Sequence, residues 1–339
     1  MDQHASDAIG RPDLIDLGGG LVCLRFETLK VVSALAAVRR LIETGTVRPG
    51  DTVIDSSSGV YAHALALACH RYGLRCHIVG STTVDPTLRA QLDILGVRLE
   101  QMASTDDLRL DQNRRVRRVR EIIAAHPDYH WMRQYHDPVH YLGYREVAET
   151  LRREVSGDLT LVCGVGTGVS SGALGTYLRE GDPDTRMVGV QPFGSVTFAS
   201  DGVPDRDIII AGIGSAIPFG NVDHALYDTV HWTGFDAALS GTVDLLRRHA
   251  VFAGLSSGAA YLAARWERAH DPARTVVFVA ADTGHRYTDS VFARHREATA
   301  VEDLKPLDIA DTAELRLPWA RMEWRRAGPP RQARFDRSA

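Results

Sequence analysis

Leu159-Thr160-Leu161-Val162-Cys163-Gly164-Val165-Gly166-Thr167-Gly168-Val169-Ser170-Ser171-Gly172 is the stretch that decides how the chain is read. An apolar, β-branched run enters a loop with four glycines in nine positions, and Ala173 to Leu178 then suit a helix. A buried strand, a tight loop and a helix start are expected. Glycines let a backbone come close to a ligand, and the first amides of a helix have no intrahelical acceptor. Thr167, Ser170 and Ser171 add hydroxyls. The stretch reads as a cup for a phosphate.

Outward from it, strands and helices alternate. A helix over 30–45 carries Val31, Leu35, Val38, Leu41 and Ile42 on one stripe, and Pro49-Gly50 turns the chain into a strand at 52–55. A Ser/Gly loop, a helix near 61–72, a strand at 76–79, a helix near 86–95 and a strand at 97–101 follow. The arginine-rich segment 106–125 reads as an amphipathic helix, with Leu110, Val116, Val119 and Ile123 inward and its arginines solvated. A strand near 130–134 and a helix near 138–154 precede the opening stretch. Beyond it come strands at 187–190, 230–232 and 275–280 and helices at 236–248 and 257–269. The pattern predicts an α/β protein of two domains, each a twisted, mostly parallel sheet with helices on both faces. The expected division is 1–145, 146–303 and a C-terminal extension, 304–339, partly packed through Trp319 and Trp324 and frayed beyond Ala327.

The composition is that of a globular chain: 44% hydrophobic, 24% charged and net charge −4, which gives no overall attraction to nucleic acid or an anionic membrane. No basic, apolar leader opens the sequence, and a cytoplasmic location is expected. Cys23, Cys69, Cys76 and Cys163 are scattered in apolar surroundings and read as free buried thiols. Cys69-His70 falls on a helix and Cys76-His77 on a strand, so no metal is expected.

A dinucleotide is the first candidate for the phosphate. Val169 stands where the third glycine of a G-x-G-x-x-G turn belongs, and the next strand ends in Gln191-Pro192 instead of an acidic residue. Both count against it. Six further segments, in order, point elsewhere: Ile9-Gly10-Arg11-Pro12-Asp13-Leu14-Ile15, Ser57-Ser58-Gly59, Gln134-Tyr135-His136-Asp137-Pro138, Gly212-Ile213-Gly214, Gly254-Leu255-Ser256-Ser257-Gly258-Ala259-Ala260 and Asp282-Thr283-Gly284-His285-Arg286-Tyr287. Together they resemble the fold-type II pyridoxal-phosphate enzymes, of tryptophan synthase β-like fold, and within them the cysteine synthase and cystathionine β-synthase family. The resemblance spans roughly residues 9–295.

The resemblance implies a Schiff-base lysine 19 positions before Pro49, which is Lys30. A cation at a helix start opposes the macrodipole, and a desolvated amine there moves toward its neutral, nucleophilic form. It also implies that Gly164, Val165, Gly166, Thr167, Gly168 and Ser170 hold the phosphate of pyridoxal 5′-phosphate, and that Ser256 faces its pyridine nitrogen. A hydroxyl there makes a moderate electron sink. Ser57, Ser58 and Gln134 match the positions that grip a substrate carboxylate. The family's asparagine beside the ring 3′-hydroxyl is replaced by Val60, which cannot hydrogen-bond, and Tyr61 is a candidate replacement hydroxyl. His63 reads as core.

The implied reaction is β-elimination and β-replacement on an O-activated serine. It passes through an aminoacrylate and gives a β-substituted alanine, as a cysteine synthase does with sulfide or a diaminopropionate-type synthase does with an amine. A lyase or deaminase of the same fold, and a non-catalytic binding module, are the alternatives. The expected partners are a small amino acid, a small nucleophile and a second copy of the chain in a homodimer.

Overall fold

The strands fall into two sheets. The structure is a computed structural model that describes residues 1–324 apart from 58, 83, 85, 104–107, 206 and 208–211, with the backbone alone at 108–110. The chain begins with α1 (Ala5–Ile9), β1 (Asp13–Asp16), β2 (Leu21–Arg25), α2 (Lys30–Glu43), β3 (Thr52–Ser56), α3 (Val60–Tyr72), β4 (Arg75–Ser81), α4 (Pro86–Ile94), β5 (Arg98–Met102), α5 (Leu108–Ala125), β6 (His130–Trp131) and α6 (Tyr144–Glu154). It continues with β7 (Leu159–Gly164), α7 (Val169–Gly181), β8 (Arg186–Pro192), β9 (Thr229–Thr233), α8 (Phe235–His249), α9 (Leu255–His270), β10 (Thr275–Ala280), β11 (Leu307–Asp308) and β12 (Trp319–Glu323).

The smaller sheet runs β5-β4-β3-β6 and is parallel throughout. The larger runs β1-β2-β10-β7-β8-β9-β12-β11 and is parallel from β2 to β9, with β1 and β12 added antiparallel. This is the expected α/β architecture of mostly parallel sheets. Parallel strands need helical crossovers and are buried on both faces, which explains their β-branched and aliphatic runs. One face of the larger sheet packs Leu151 of α6 and Leu174 of α7, and the other packs Leu239 of α8 and Ala263 of α9. Residues 13–25 join the larger sheet through β2 and β10, so that sheet draws on both ends of the chain.

The extension after 303 does more than pack two tryptophans. It supplies β11 and β12, and β12 pairs with β9 from Trp319↔Thr233 to Glu323↔Thr229. Its side chains alternate as a strand requires. Ala320, Met322 and Trp324 enter the core on one face, while Arg321 points the other way onto buried Glu267, Nε to Oε1 2.8 Å. Trp319 Nε1 donates to His231 Nδ1 (3.1 Å), so His231 Nε2 carries the hydrogen it donates to Glu267 Oε1 (2.9 Å). Burial pushes Glu267 up, but His231 and Arg321 outweigh it and hold the carboxyl at about 2. Charges at Arg321 and Glu323 hid this strand from an apolar-run reading.

The helix expected over 106–125 is α5, with its described start at Leu108. Val119 and Ile122 are buried, and Arg118 pairs with Glu100 (2.6 Å) and Glu121 (3.1 Å). All four cysteines are free and buried.

Candidate active site

In a parallel strand–loop–helix unit the helix starts at the carboxyl edge of its strand, so helix N-termini gather along one rim. Here four of them meet at one slot, which is lined by Lys30, Val60, Ser170 and Ser256, the openings of α2, α3, α7 and α9. None of the four N-cap residues, Leu29, Gly59, Gly168 and Gly254, supplies a side-chain cap. Four helix dipoles converging on the slot, with no cap from the N-cap residues themselves, favour anionic groups there.

Lys30 is the first residue of α2, and its Nζ donates to Thr167 Oγ1 of the glycine loop at 3.2 Å. Desolvation lowers its pKa to about 8. An ammonium there loses water and faces a helix start, so the neutral amine is favoured.

The glycine loop is fixed from outside the slot. Val165 donates its amide to Val190 O (2.9 Å), and its carbonyl accepts from Gly214 N (2.9 Å) and from Gln191 Nε2. Gln191 Oε1 accepts in turn from Ser195 Oγ at 3.0 Å. The residue that argued against a dinucleotide is thus a brace under the loop. Gly168 has φ +82°, and a Cβ there would stand 2.5 Å from Asn221 O. Gly164 is covered by Ile213, whose Cγ2 a Cβ would meet at 2.5 Å.

Of the residues expected to hold the cofactor, Lys30, Val60, Gly164, Gly166, Thr167, Ser170 and Ser256 line the slot. Val165 is buried core with both backbone groups engaged, and Gly168 shapes the turn behind the slot. Ser171 turns away, with its Oγ 2.7 Å from Tyr227 Oη.

The residues expected to grip a carboxylate lie near the start of α3. Ser57 Oγ accepts from the amides of Gly59 (3.4 Å) and Ala62 (3.1 Å). Gln134 Nε2 donates to Ser56 O (2.8 Å), and Asn221 Nδ2 donates to Gln134 O (3.1 Å). Ser58 lies outside the described residues. Tyr61 does not line the slot. Its buried hydroxyl is 2.8 Å from His140 Nε2, because α3 turns it toward the segment that follows β6. His63, expected in the core, is half-buried and lines a vestibule of about 580 Å³ that shares Val60 and Asp282 with the slot.

Two residues had no role in the sequence reading. Asp55, buried at the end of β3, accepts from Ser56 N (2.8 Å), Trp131 Nε1 (3.1 Å) and Gln134 N (3.0 Å). It fixes Gln134 against β3, and burial raises its pKa to about 6. Asp282 is a buried carboxylate at the slot itself. The available signal was the same for both, an aspartate at or just past the end of an apolar strand.

The residues suit pyridoxal phosphate. The loop offers uncapped amides and the Thr167 and Ser170 hydroxyls to a dianion, Lys30 offers an amine to an aldehyde, and Thr28 Oγ1 and Asp282 Oδ1 are buried without partners among the described residues. The slot is narrow, with about 40 Å³ free, so a planar ring enters only as its walls part.

Strand order, loop and lysine together define a two-sheet α/β enzyme that binds a phosphorylated aldehyde. Residues 24–282 match the family model described as pyridoxal-phosphate dependent enzyme, and the chain belongs to that family. Its cofactor is pyridoxal 5′-phosphate, and it is an enzyme of the cysteine synthase type. An N-(2-amino-2-carboxyethyl)-L-glutamate synthase of Ralstonia nicotianae is 34% identical over 263 residues, 75% of each chain. Cysteine synthase 3 of Caenorhabditis elegans is 28% identical over 279 residues, 78% of this chain and 81% of the relative. Among solved structures, an O-ureido-L-serine synthase superposes with TM-score 0.75 at 23% identity, over 85% of this chain and 94% of the other. No helix among the described residues is long and apolar enough to cross a membrane.

Proposed function

We propose that this enzyme carries out β-replacement on an O-activated serine, with an amine as the incoming nucleophile, to give an N-substituted 2,3-diaminopropionate. The observation that carries the reading is the desolvated Lys30 amine, held on Thr167 of the phosphate loop where four helix N-termini meet. The choice of an amine is supported by the 34% identical relative, whose name describes a carbon–nitrogen bond to glutamate. The vestibule adds support, because Glu27 and Arg286 line it with opposite charges, as suits a zwitterion.

When bound, the cofactor supplies an electron sink conjugated to the substrate α-carbon. The loop amides of 166–170 and the Thr167 and Ser170 hydroxyls would hold its phosphate, and Ser256 would face its ring nitrogen. Ser57, the α3 amides and Gln134 bind the substrate carboxylate and orient the α-proton toward Lys30. Lys30 Nζ, the desolvated amine at the start of α2, would accept that proton. Thr167 Oγ1 keeps the amine aimed while it does so. Parting of the two walls admits substrate, and their closing over the carboxylate excludes water. The location is cytoplasmic, consistent with four free thiols, and the assembly is a homodimer, which rests on the family resemblance.

The test begins with visible absorption of the purified protein. Borohydride reduction and peptide mapping should place the cofactor on Lys30. Products from O-phosphoserine or O-acetylserine are then compared with sulfide, with glutamate and with neither. A colourless protein with no Lys30 adduct overturns the reading. Pyruvate and ammonia as the sole products under every condition would make it a lyase.

A further inference from the structure

Asp282 is the only carboxylate among the described residues that line the slot, and it stands two residues past the end of β10. Its Oδ2 accepts from Tyr287 Oη at 3.0 Å. Its Oδ1 is buried and accepts from no donor among the described residues. Across an isolated β-bridge, the Thr28 hydroxyl is likewise buried without a partner among the described residues. Such an orphan carries a desolvation penalty of roughly 1–3 kcal/mol unless a ligand completes it.

The orphan oxygen can be located. A Cβ on Gly254 would collide with Asp282 Oδ1, so this oxygen rests against the backbone two residues before Ser256. The two segments are laced together: Gly254 N donates to Asp282 O (3.1 Å) and Ala281 N donates to Ser257 Oγ (3.1 Å). Asp282 and Ser256 therefore share one wall of the slot.

We infer that Asp282 stands beside Ser256 at the ring-nitrogen end of the cofactor and accepts a hydrogen bond from that nitrogen, keeping it protonated. The inference rests on the proposed reading, in which Ser256 faces the nitrogen. One N–H bond forms with a proton taken from solvent, no bond of the cofactor breaks, and Asp282 remains the anionic acceptor. A bound N–H⁺ also resolves the orphan. Burial raises the Asp282 pKa to about 6, which makes it a better acceptor than an exposed carboxylate. The groups around it are Tyr287 on Oδ2, Arg286 as an opposing charge, Thr28 across the bridge, Lys30 in the slot, and Glu27, His63 and His285 in the vestibule. A protonated ring withdraws electrons more strongly than a ring facing a hydroxyl alone. The electron sink is then stronger than Ser256 by itself implies.

The experiment is nitrogen NMR of the holoenzyme reconstituted with cofactor carrying ¹⁵N in the ring. The wild type should give the upfield signal of a protonated pyridine. Asp282→Asn should lose it, Ser256→Ala should keep it, and Tyr287→Phe should keep it to higher pH because Oδ2 loses its donor. A purely structural Asp282 would leave the signal unmoved in Asp282→Asn, and that result overturns the inference, as does loss of the signal in Ser256→Ala with retention in Asp282→Asn. Should Asp282→Asn fail to fold, Tyr287→Phe decides: an unshifted titration of the ring signal overturns the inference. If Lys30 is not labelled by borohydride, the functional reading fails first; if Lys30 is labelled and the ring signal ignores Asp282, only this inference fails.

Discussion

The β7–α7 and β3–α3 units have the same parts: a buried strand, a short loop with glycine as helix N-cap, and a helix start that lines the slot. They differ in what satisfies the helix start. At α7 the first amides are left open, and Thr167 reaches Lys30. At α3 Ser57 Oγ takes two of the amides, Gln134 is bonded to Ser56 O, and Tyr61 is tied to His140. The first unit is preorganised for a ligand that stays. The second satisfies itself and, on the proposed reading, must exchange internal hydrogen bonds for those of a substrate that comes and goes. A resident cofactor gains from a site whose orphans are exposed in advance, while a transient substrate is released more readily from a site that closes on itself.

The two N-cap glycines give the sharpest way to break this comparison. Gly168 is at φ +82°, with Asn221 O 2.5 Å from an added Cβ, whereas Gly59 is at φ −139° and its Cβ would meet, among the described residues, only Arg286 Nη1 at 3.8 Å. Gly168→Ala should store about 1–3 kcal/mol of strain and weaken cofactor binding by roughly 10–100-fold. Gly59→Ala should leave cofactor affinity within about twofold. Titration of the cofactor-free proteins by absorbance measures both, and equal losses would remove the distinction between the loops.

Lys30 gives the next largest effect, through pH. Only the neutral amine attacks an aldehyde, and burial lowers the pKa from 10.5 to about 8. Cofactor capture by the cofactor-free protein should therefore accelerate as pH rises and level off just above 8. Stopped-flow absorbance reads the inflection; one near 10 would mean an amine in open water. Ser57→Ala follows. It uncaps the Gly59 and Ala62 amides, so the cofactor-free protein should lose about 1 kcal/mol in thermal or denaturant unfolding. Substrate KM should rise while cofactor affinity holds. An unchanged KM would remove Ser57 from the carboxylate site.

The open loop was legible in the sequence because open loops are written in local chemistry. Four glycines after a β-branched strand have few other uses, and Lys30 follows from spacing to Pro49 once the family is recognised. What was not legible depends on partners distant in the chain. Asp55 is an ordinary strand-end aspartate until Trp131 and Gln134 arrive from 76 and 79 residues away. β12 hides behind Arg321 and Glu323, whose charges are satisfied by Glu267 and Arg186. Val165 reads as part of a phosphate loop, yet its backbone is spent on Val190 and Gly214, which only the sheet and the 212–214 turn bring near.

Tyr61→Phe should have the smallest effect on the reaction, and it separates a hydroxyl that serves the cofactor from one that serves the fold. Tyr61 follows Val60, so a hydroxyl there could replace the hydrogen bond a valine cannot make. Yet Tyr61 Oη is buried 2.8 Å from His140 Nε2 and outside the slot lining. His140 Nδ1 lies 3.2 Å from Asp137 O, a carbonyl that can only accept. Nδ1 therefore carries the proton, Nε2 accepts, and the Tyr61 hydroxyl is the donor. Burial keeps His140 neutral, with its pKa lowered to about 4. The hydroxyl's one hydrogen is committed to His140, so it has none to donate to a ring oxygen. Phenylalanine leaves the ring packing in place and orphans Nε2, at roughly 1–3 kcal/mol in unfolding free energy. The visible spectrum of the holoenzyme and its turnover should stay within about twofold of wild type, because no transition-state contact is removed. A shifted absorption band with unchanged stability would reverse the assignment and return Tyr61 to the cofactor.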